Sequence, residues 1–192
     1  MANTILYKYR SLDNFKFLVD IFLNKRLYAG DYKSMNDPME GVYRFNKHKV
    51  SAEFRATILG DKRDLRFCSL SADADNKLLW AHYANGHNGI SIGVIPQGVE
   101  DSDIREMYYT PDPLKITEES EHVDAKKILS YKNEIWQYEN EVRVFTMQYF
   151  VEVKIKEVVF GKRVSNNDKQ MLKKLISTID NQITFRDEDE SK

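Results

Sequence analysis

The sequence predicts a single α+β domain, in which a mixed, mostly antiparallel sheet is flanked by helices. Short runs rich in β-formers and amphipathic helical runs follow one another without regular alternation, which disfavours a doubly wound α/β fold. No repeat or low-complexity linker divides the 192 residues, so we expect one domain over residues 1–186. The acidic residues 187–192 are expected to form a disordered tail.

Local patterns place the individual elements. Helices are expected where apolar residues recur every three to four positions, and Asn76 and Ser165 are suitable N-caps for two of them. Asp13 or Asn14 can cap the first helix. The expected helices are residues 15–23, 50–59, 77–83, 118–130 and 166–179. The expected strands are residues 5–9, 27–29, 65–70, 89–95, 107–109, 142–147, 151–160 and 183–185.

Composition excludes several functional classes. The net charge is −1 and no basic block stands out, so there is no strong signal for duplex nucleic acid. The single cysteine, Cys68, cannot form an intramolecular disulfide and is expected to be a small buried hydrophobe on a strand. No window approaches the roughly 18 apolar residues of a membrane helix, and no signal peptide is evident. We expect a soluble, cytoplasmic protein; nothing in the composition indicates an oligomeric state.

Three charged residues mark the entry to a late strand. Glu139, Glu141 and Arg143 are spaced by two, which places their side chains on one face of a strand. The apolar residues that follow indicate that this strand is covered on both sides, so its charges must lie at a rim or line a polar cleft. A solvated strand end, or a Glu–Arg pair that closes the strand, is the structural alternative.

Two further clusters carry polar side chains suited to a ligand. Arg10, which follows Tyr9 at the end of the first strand, presents a planar fork of donors for phosphate or carboxylate, although ordinary strand-end polarity would produce the same pattern. His82 and Tyr83 either offer hydrogen-bonding groups to a pocket or satisfy each other in the core. His82 and His87 are five residues apart, which is not the spacing of a zinc helix, and we expect no metal site.

The order of these motifs resembles a bacterial and phage family known only as a domain of unknown function (number 2971). That family has a strand followed by an Asn-Asp-Pro-Phe-Glu loop, and later a Trp-x-Tyr-Glu-x-Glu-Trp-Arg block. Met39 stands where the family has Phe, and Val142 stands where it has Trp; both changes keep an apolar residue. The matching segments are residues 7–12, 36–40, 67–71, 79–83, 136–143 and 158–161.

A more distant resemblance is to the mono-ADP-ribosyltransferases. Those enzymes carry an Arg, His or Tyr on an early strand, a Ser/Thr or Tyr block in the middle and a late catalytic Glu, often in Glu-x-Glu. The resemblance implies that NAD is a substrate rather than a permanently bound cofactor. It implies that Glu141 stabilises an oxocarbenium-like transition state, while Glu139 assists or activates the acceptor. The substrate-binding residues it implies are Tyr9, Arg10, Ser69, Ser71, His82, Tyr83 and Arg143.

Two other functions remain open at this stage. One is a non-enzymatic domain that binds a ligand, such as a dinucleotide, or a partner. The other is a magnesium-dependent nuclease or hydrolase that uses Glu40, Glu139 and Glu141. A magnesium site requires Glu40 close to Glu141, whereas a transferase requires Arg10 and Ser69 to face Glu141 across a cleft of ~10 Å. The acceptor of a transferase would be a protein or a nucleic acid.

Overall fold

The computed structural model describes residues 4–118 and 122–189. Its architecture is α+β, and most strand pairs are antiparallel, as the sequence predicts. The strands in the described part of the chain are β1 (Leu6–Ser11), β2 (Arg26–Tyr28), β3 (Tyr43–Phe45), β4 (Arg66–Ser71), β5 (Gly89–Pro96), β6 (Ile104–Glu106), β7 (Tyr108–Thr110), β8 (Leu114–Ile116), β9 (Tyr131–Asn133), β10 (Glu141–Thr146), β11 (Phe150–Phe160) and β12 (Thr184–Asp187). The α-helices in the same residues are α1 (Phe15–Asn24), α2 (Ala52–Asp64), α3 (Lys77–Tyr83), α4 (Ala125–Ile128) and α5 (Asn166–Ile179).

One large sheet organises the molecule. Its strands lie in the order β12-β11-β5-β1-β4-β10-β6, and β2 pairs with the first residues of β11. Just beyond β2, Gly30 forms a bridge to Phe67 of β4. The circuit from β11 through β5, β1, β4, Gly30 and β2 back to β11 is therefore closed by hydrogen bonds. Its strands contribute Leu27, Leu70 and Val153 to the largest hydrophobic cluster of the described residues.

Helices α1 and α5 cover this core. Leu18 and Phe22 of α1, one helical turn apart, are buried in it together with Leu172 and Ile176 of α5. Helix α5 begins as predicted, because the Ser165 hydroxyl accepts from the backbone N–H of Asp168 (3.1 Å). The opposite face of the sheet carries two smaller apolar clusters, one around Trp80 and one around Phe145. The polar cavity described below lies on this second face.

Two expectations about helix boundaries are wrong. The helix expected over 118–130 reduces to α4, because Asp124 caps its start by accepting from the N–H of Lys127; residues 119–121 of that expectation lie outside the described residues. Helix α2 continues through Gly60 to Asp64.

The boundary predicted for the acidic tail is also wrong. Asp187 ends β12, and the carboxylate of Glu188 is buried, where it contacts His87 Nδ1 (2.8 Å) and accepts from the N–H of Lys162 (3.0 Å). The ordered chain thus extends at least to Glu188; residues 190–192 lie outside the described residues. No helix within the described residues is long and apolar enough to cross a membrane.

Candidate functional site

A gap in the sheet positions the candidate site. Strands β1 and β4 pair at Tyr7 and Ser71, and no further pair joins them among the described residues. Beyond that point β4 turns to Gly30 instead, through two Gly30–Phe67 backbone hydrogen bonds of 3.0 Å. The two strands therefore leave an opening between them, and the Nζ of Lys8 reaches into it to donate to the carbonyl of Ser69 (2.7 Å).

A cavity of about 470 Å³ opens at this gap. Its size lies within the roughly 300–1,000 Å³ of small-molecule sites. Strands β1, β4 and β10, which are neighbours in the sheet, supply about half of its polar lining. Eight of the nine site residues predicted from the sequence line it: Tyr9, Arg10, Ser69, Ser71, Tyr83, Glu139, Glu141 and Arg143.

The acidic wall of the cavity is a chain of alternating charges. Arg143 donates to both oxygens of Glu40 (2.6 and 2.8 Å) and through Nε to Glu141 (2.7 Å). Lys132 bridges Glu141 (2.7 Å) and Glu139. Three carboxylates and two cations leave this network with a net charge of −1, and its side chains are at most 9% exposed.

The network favours the ionised forms of Glu141 and Arg143. Burial alone would raise the pKa of Glu141, but the charges of Arg143 and Lys132 outweigh it and hold this pKa well below its usual range. Burial likewise acts to lower the pKa of Arg143, yet Glu141 and Glu40 raise it further still. Glu141 is therefore a fixed negative charge at neutral pH.

The basic wall lies on β1. Burial lowers the pKa values of Lys8 and Arg10. Neither side chain forms an ion pair with a carboxylate of the described residues, and the buried Nε of Arg10 has no hydrogen-bond partner there. Two cations beside a cavity, neither ion-paired within the part of the chain that the structure describes, are suited to an anionic group.

The predicted serines and tyrosines play different parts around this cavity. Ser71 is used by the fold, because its hydroxyl donates to the carbonyl of Glu139 (2.8 Å) and accepts from Asp73 N–H (3.1 Å). Tyr9 is also committed: its hydroxyl donates to the carbonyl of Asp73 (2.8 Å), and its ring packs edge-on against Trp80. The hydroxyl of Ser69 has no hydrogen-bond partner among the described residues.

Tyr83 lies where its hydroxyl meets the acidic wall. It donates to Glu139 (2.6 Å), and burial, followed by the charge of Glu139, raises its pKa. His82 is the one predicted site residue that does not line the cavity. It is exposed on the outer side of α3, where its ring contacts the rings of Tyr83 and Tyr138 at 6.4 and 6.0 Å. The structure therefore does not bring His82 into the cavity with the other predicted residues.

The placement of Glu139 corrects a second expectation. Strand β10 starts at Glu141, and Glu139 ends a 3₁₀ turn, with Asn140 between them in the left-handed conformation (φ 44°). Asn tolerates this conformation better than most residues. The turn, rather than the strand period, brings Glu139 to Lys132 beside Glu141.

Four charged cavity residues were not predicted as substrate-binding. Lys8 stands within the Tyr7–Ser11 motif, and Asp37 and Glu40 within the Asn-Asp-Pro loop, so each lay next to a recognised signal. That loop carries Glu40 to Arg143. Lys132 had no local signal at all, because it reaches the carboxylates through the pairing of β9 with β7.

The arrangement is poorly suited to a magnesium ion. Glu40 and Glu141 do lie close together, but the guanidinium of Arg143 is hydrogen-bonded to both and occupies the space between them. Within the described residues, no group of three His, Cys, Asp or Glu side chains could hold a metal ion.

Comparisons with known proteins add no relatives: no family model, no curated protein and no solved structure matches this chain.

Proposed function

We propose that this protein is an NAD-dependent mono-ADP-ribosyltransferase in which Glu141 stabilises the positive charge that develops on the ribose. The observation that carries the proposal is the separation of charge across one cavity. The Glu40–Arg143–Glu141–Lys132–Glu139 network is net negative, while Lys8 and Arg10 have no ion-pair partner among the described residues. The order Arg10, Ser69 and Glu141 on three adjacent strands agrees with the resemblance drawn from the sequence.

NAD has a complementary distribution of charge. Its nicotinamide ring is cationic and is attached to a ribose, whereas its pyrophosphate carries two negative charges. On this proposal the pyrophosphate binds Lys8 and Arg10, whose desolvation is then offset by charge-assisted hydrogen bonds. The nicotinamide ribose lies against Glu139 and Glu141, whose oxygens retain lone pairs for its hydroxyls.

The chemistry follows from that pose. The bond between C1′ and the nicotinamide nitrogen breaks, and its electron pair leaves with neutral nicotinamide. Positive charge appears on the ribose, and the fixed negative charge of Glu141 stabilises it in a largely water-excluded site. The acceptor then bonds to C1′ through its own lone pair, and its proton passes to Glu139.

One observation favours a second candidate, a domain that binds a nucleotide without turning it over. Both Glu139 and Glu141 already accept hydrogen bonds from cationic side chains of the protein. These cations partly neutralise the two carboxylates, which weakens their effect on a positive charge that develops on the ribose. The two candidates make the same binding prediction and differ in whether the glycosidic bond breaks.

The test is release of nicotinamide from NAD, together with transfer of adenine-labelled NAD to protein or RNA in a lysate. We expect the wild type to be active and Glu139→Gln to lose about 100-fold or more. Glu134→Gln, an exposed Glu in the same 3₁₀ turn, is the matched control and should retain activity.

Glu141→Gln should be inactive, and a thermal melt must accompany it because Glu141 also pairs with buried Arg143. Binding of NAD without nicotinamide release would support the binding domain instead. A wild-type protein that neither binds nor cleaves NAD would rule out both candidates.

A further inference from the structure

A second, apolar hollow adjoins the candidate site. It is a groove of about 1,030 Å³ along α1. Phe15, Val19 and Leu23 lie four residues apart on α1 and therefore share one face of the helix, and Tyr28 and Phe150 form the opposing wall with their rings 5.9 Å apart. Phe15, Leu23 and Tyr28 are 42%, 58% and 52% exposed, which is unusual for large apolar side chains grouped in one place.

The groove and the cavity meet at shared residues. Arg10, Tyr28 and Tyr83 line both hollows. The junction lies at the opening between β1 and β4, where Arg10 has no anionic partner among the described residues. A ligand that spans both hollows would thus place its middle at Arg10, one end against the carboxylates and the other end against α1.

We infer that the groove along α1 binds the adenosine half of a dinucleotide whose pyrophosphate lies at Arg10. This inference rests on the proposed function, and it assigns a site to the part of NAD that takes no part in the reaction. A purine is flat and aromatic, so it stacks on Phe and Tyr rings and packs against Val19 and Leu23. The anion at the centre of the ligand meets the cation at the centre of the site.

The groove can be tested without relying on catalysis. Val19→Trp fills it, and Phe15→Ala removes an exposed ring without disturbing the core. Met171→Trp, at a 52% exposed position on α5, is the matched control for adding bulk to a helix surface. Calorimetry would measure binding of ADP, NAD and nicotinamide mononucleotide to each protein.

We expect Val19→Trp and Phe15→Ala to weaken ADP and NAD by about tenfold or more, as loss of one base–aromatic stack does. Nicotinamide mononucleotide, which lacks adenosine, should bind them and the wild type equally, and Met171→Trp should bind all three normally. Unchanged ADP affinity in both groove variants would overturn the inference. That result is expected if the natural occupant of the groove is an acyl chain or an apolar peptide. Equal weakening of nicotinamide mononucleotide would overturn it too.

Failure of the inference can be told from failure of the proposed function. If the wild type releases nicotinamide and Val19→Trp does so with an unchanged KM, the transferase stands and the adenosine site falls. If the wild type releases none, loss of ADP binding in Val19→Trp still supports the groove as an adenine-nucleotide site. No ADP binding by the wild type overturns the groove directly.

Discussion

Removing Glu40 would test whether the acidic network holds the fold together. In Glu40→Ala the guanidinium of Arg143, 1% exposed, loses two hydrogen bonds of 2.6 and 2.8 Å to a carboxylate that is itself 3% exposed. Arg143 keeps Glu141 and the carbonyl of Leu129, so its charge is only partly compensated. Breaking a buried ion pair from one side costs about 3–5 kcal/mol.

The expected loss of unfolding free energy can be measured by urea denaturation at pH 7, and the matching change in melting temperature by a thermal melt. At roughly 2–4 °C per kcal/mol for a chain of this size, Glu40→Ala should melt about 6–20 °C below the wild type. Glu40→Gln keeps the shape and one acceptor and should lose less. The control is Asp112→Ala, which breaks the ion pair of Asp112 with Arg44. The side chains of Arg44 and Asp112 are 67% and 71% exposed, so this loss should cost at most about 1 kcal/mol. The reasoning fails if Glu40→Ala costs no more than that control.

Three further changes probe the same features. Lys132→Met leaves two carboxylates facing each other and should cost about 3 kcal/mol by urea denaturation at pH 7; a neutral result would contradict the bridging role of that lysine. The pKa of Glu141 in the folded state lies below its unfolded value of about 4.3, so the contribution of Glu141 to stability is complete above that pH and declines as the pH falls below it. Glu141→Gln should therefore flatten the acid limb of a curve of stability against pH. An unchanged acid limb would count against the ion pair of Glu141 with Arg143. Gly89→Ala would place a Cβ 2.3 Å from the carbonyl oxygen of Arg10 and should lower the melting temperature. In Gly60→Ala, within α2, the added Cβ meets nothing within 4 Å, so this variant should be more stable by about 0.5–1 kcal/mol. Equal melting temperatures for the two glycine variants would contradict this geometry.

Local chemistry made part of the site predictable. Asn76 caps α3 as expected, accepting from the N–H groups of Leu78 and Leu79. The period of a strand correctly placed Glu141 and Arg143 side by side, because both lie within β10. These features depend on residues two to four positions apart, which is the range over which sequence spacing specifies geometry.

The rest of the site depends on contacts that spacing cannot express. Arg143 meets Glu40 across 103 positions, and Lys132 arrives through a parallel pair of short strands. The opening between β1 and β4 arises because Gly30 takes over the pairing of Phe67. Each of these contacts depends on how the strands of the whole sheet pair. A single sequence therefore indicates the residue types of the site without indicating which side chains contact each other.

The two walls of the cavity differ in how their desolvation is offset. In the acidic wall the cost of desolvating the carboxylates is offset within the protein, since each carboxylate accepts a hydrogen bond from a cationic side chain of the fold. The desolvation of Arg10 is not offset in this way, because the described residues supply no carboxylate for its charge and no acceptor for its Nε. Arg10 is half-buried, and a buried donor such as its Nε that has no acceptor lowers stability unless a ligand supplies one.

Arg10→Met should separate these two roles. It keeps much of the side-chain bulk and removes the uncompensated charge, so we expect the free protein to be unchanged or about 1 kcal/mol more stable in urea denaturation. The same variant should lose the rise in melting temperature that excess ADP gives the wild type, because that rise depends on differential binding to the folded state. Arg44→Met, at an exposed position, should alter neither quantity. A clear loss of stability in Arg10→Met, with the ADP response intact, would mean that Arg10 supports the fold rather than a ligand.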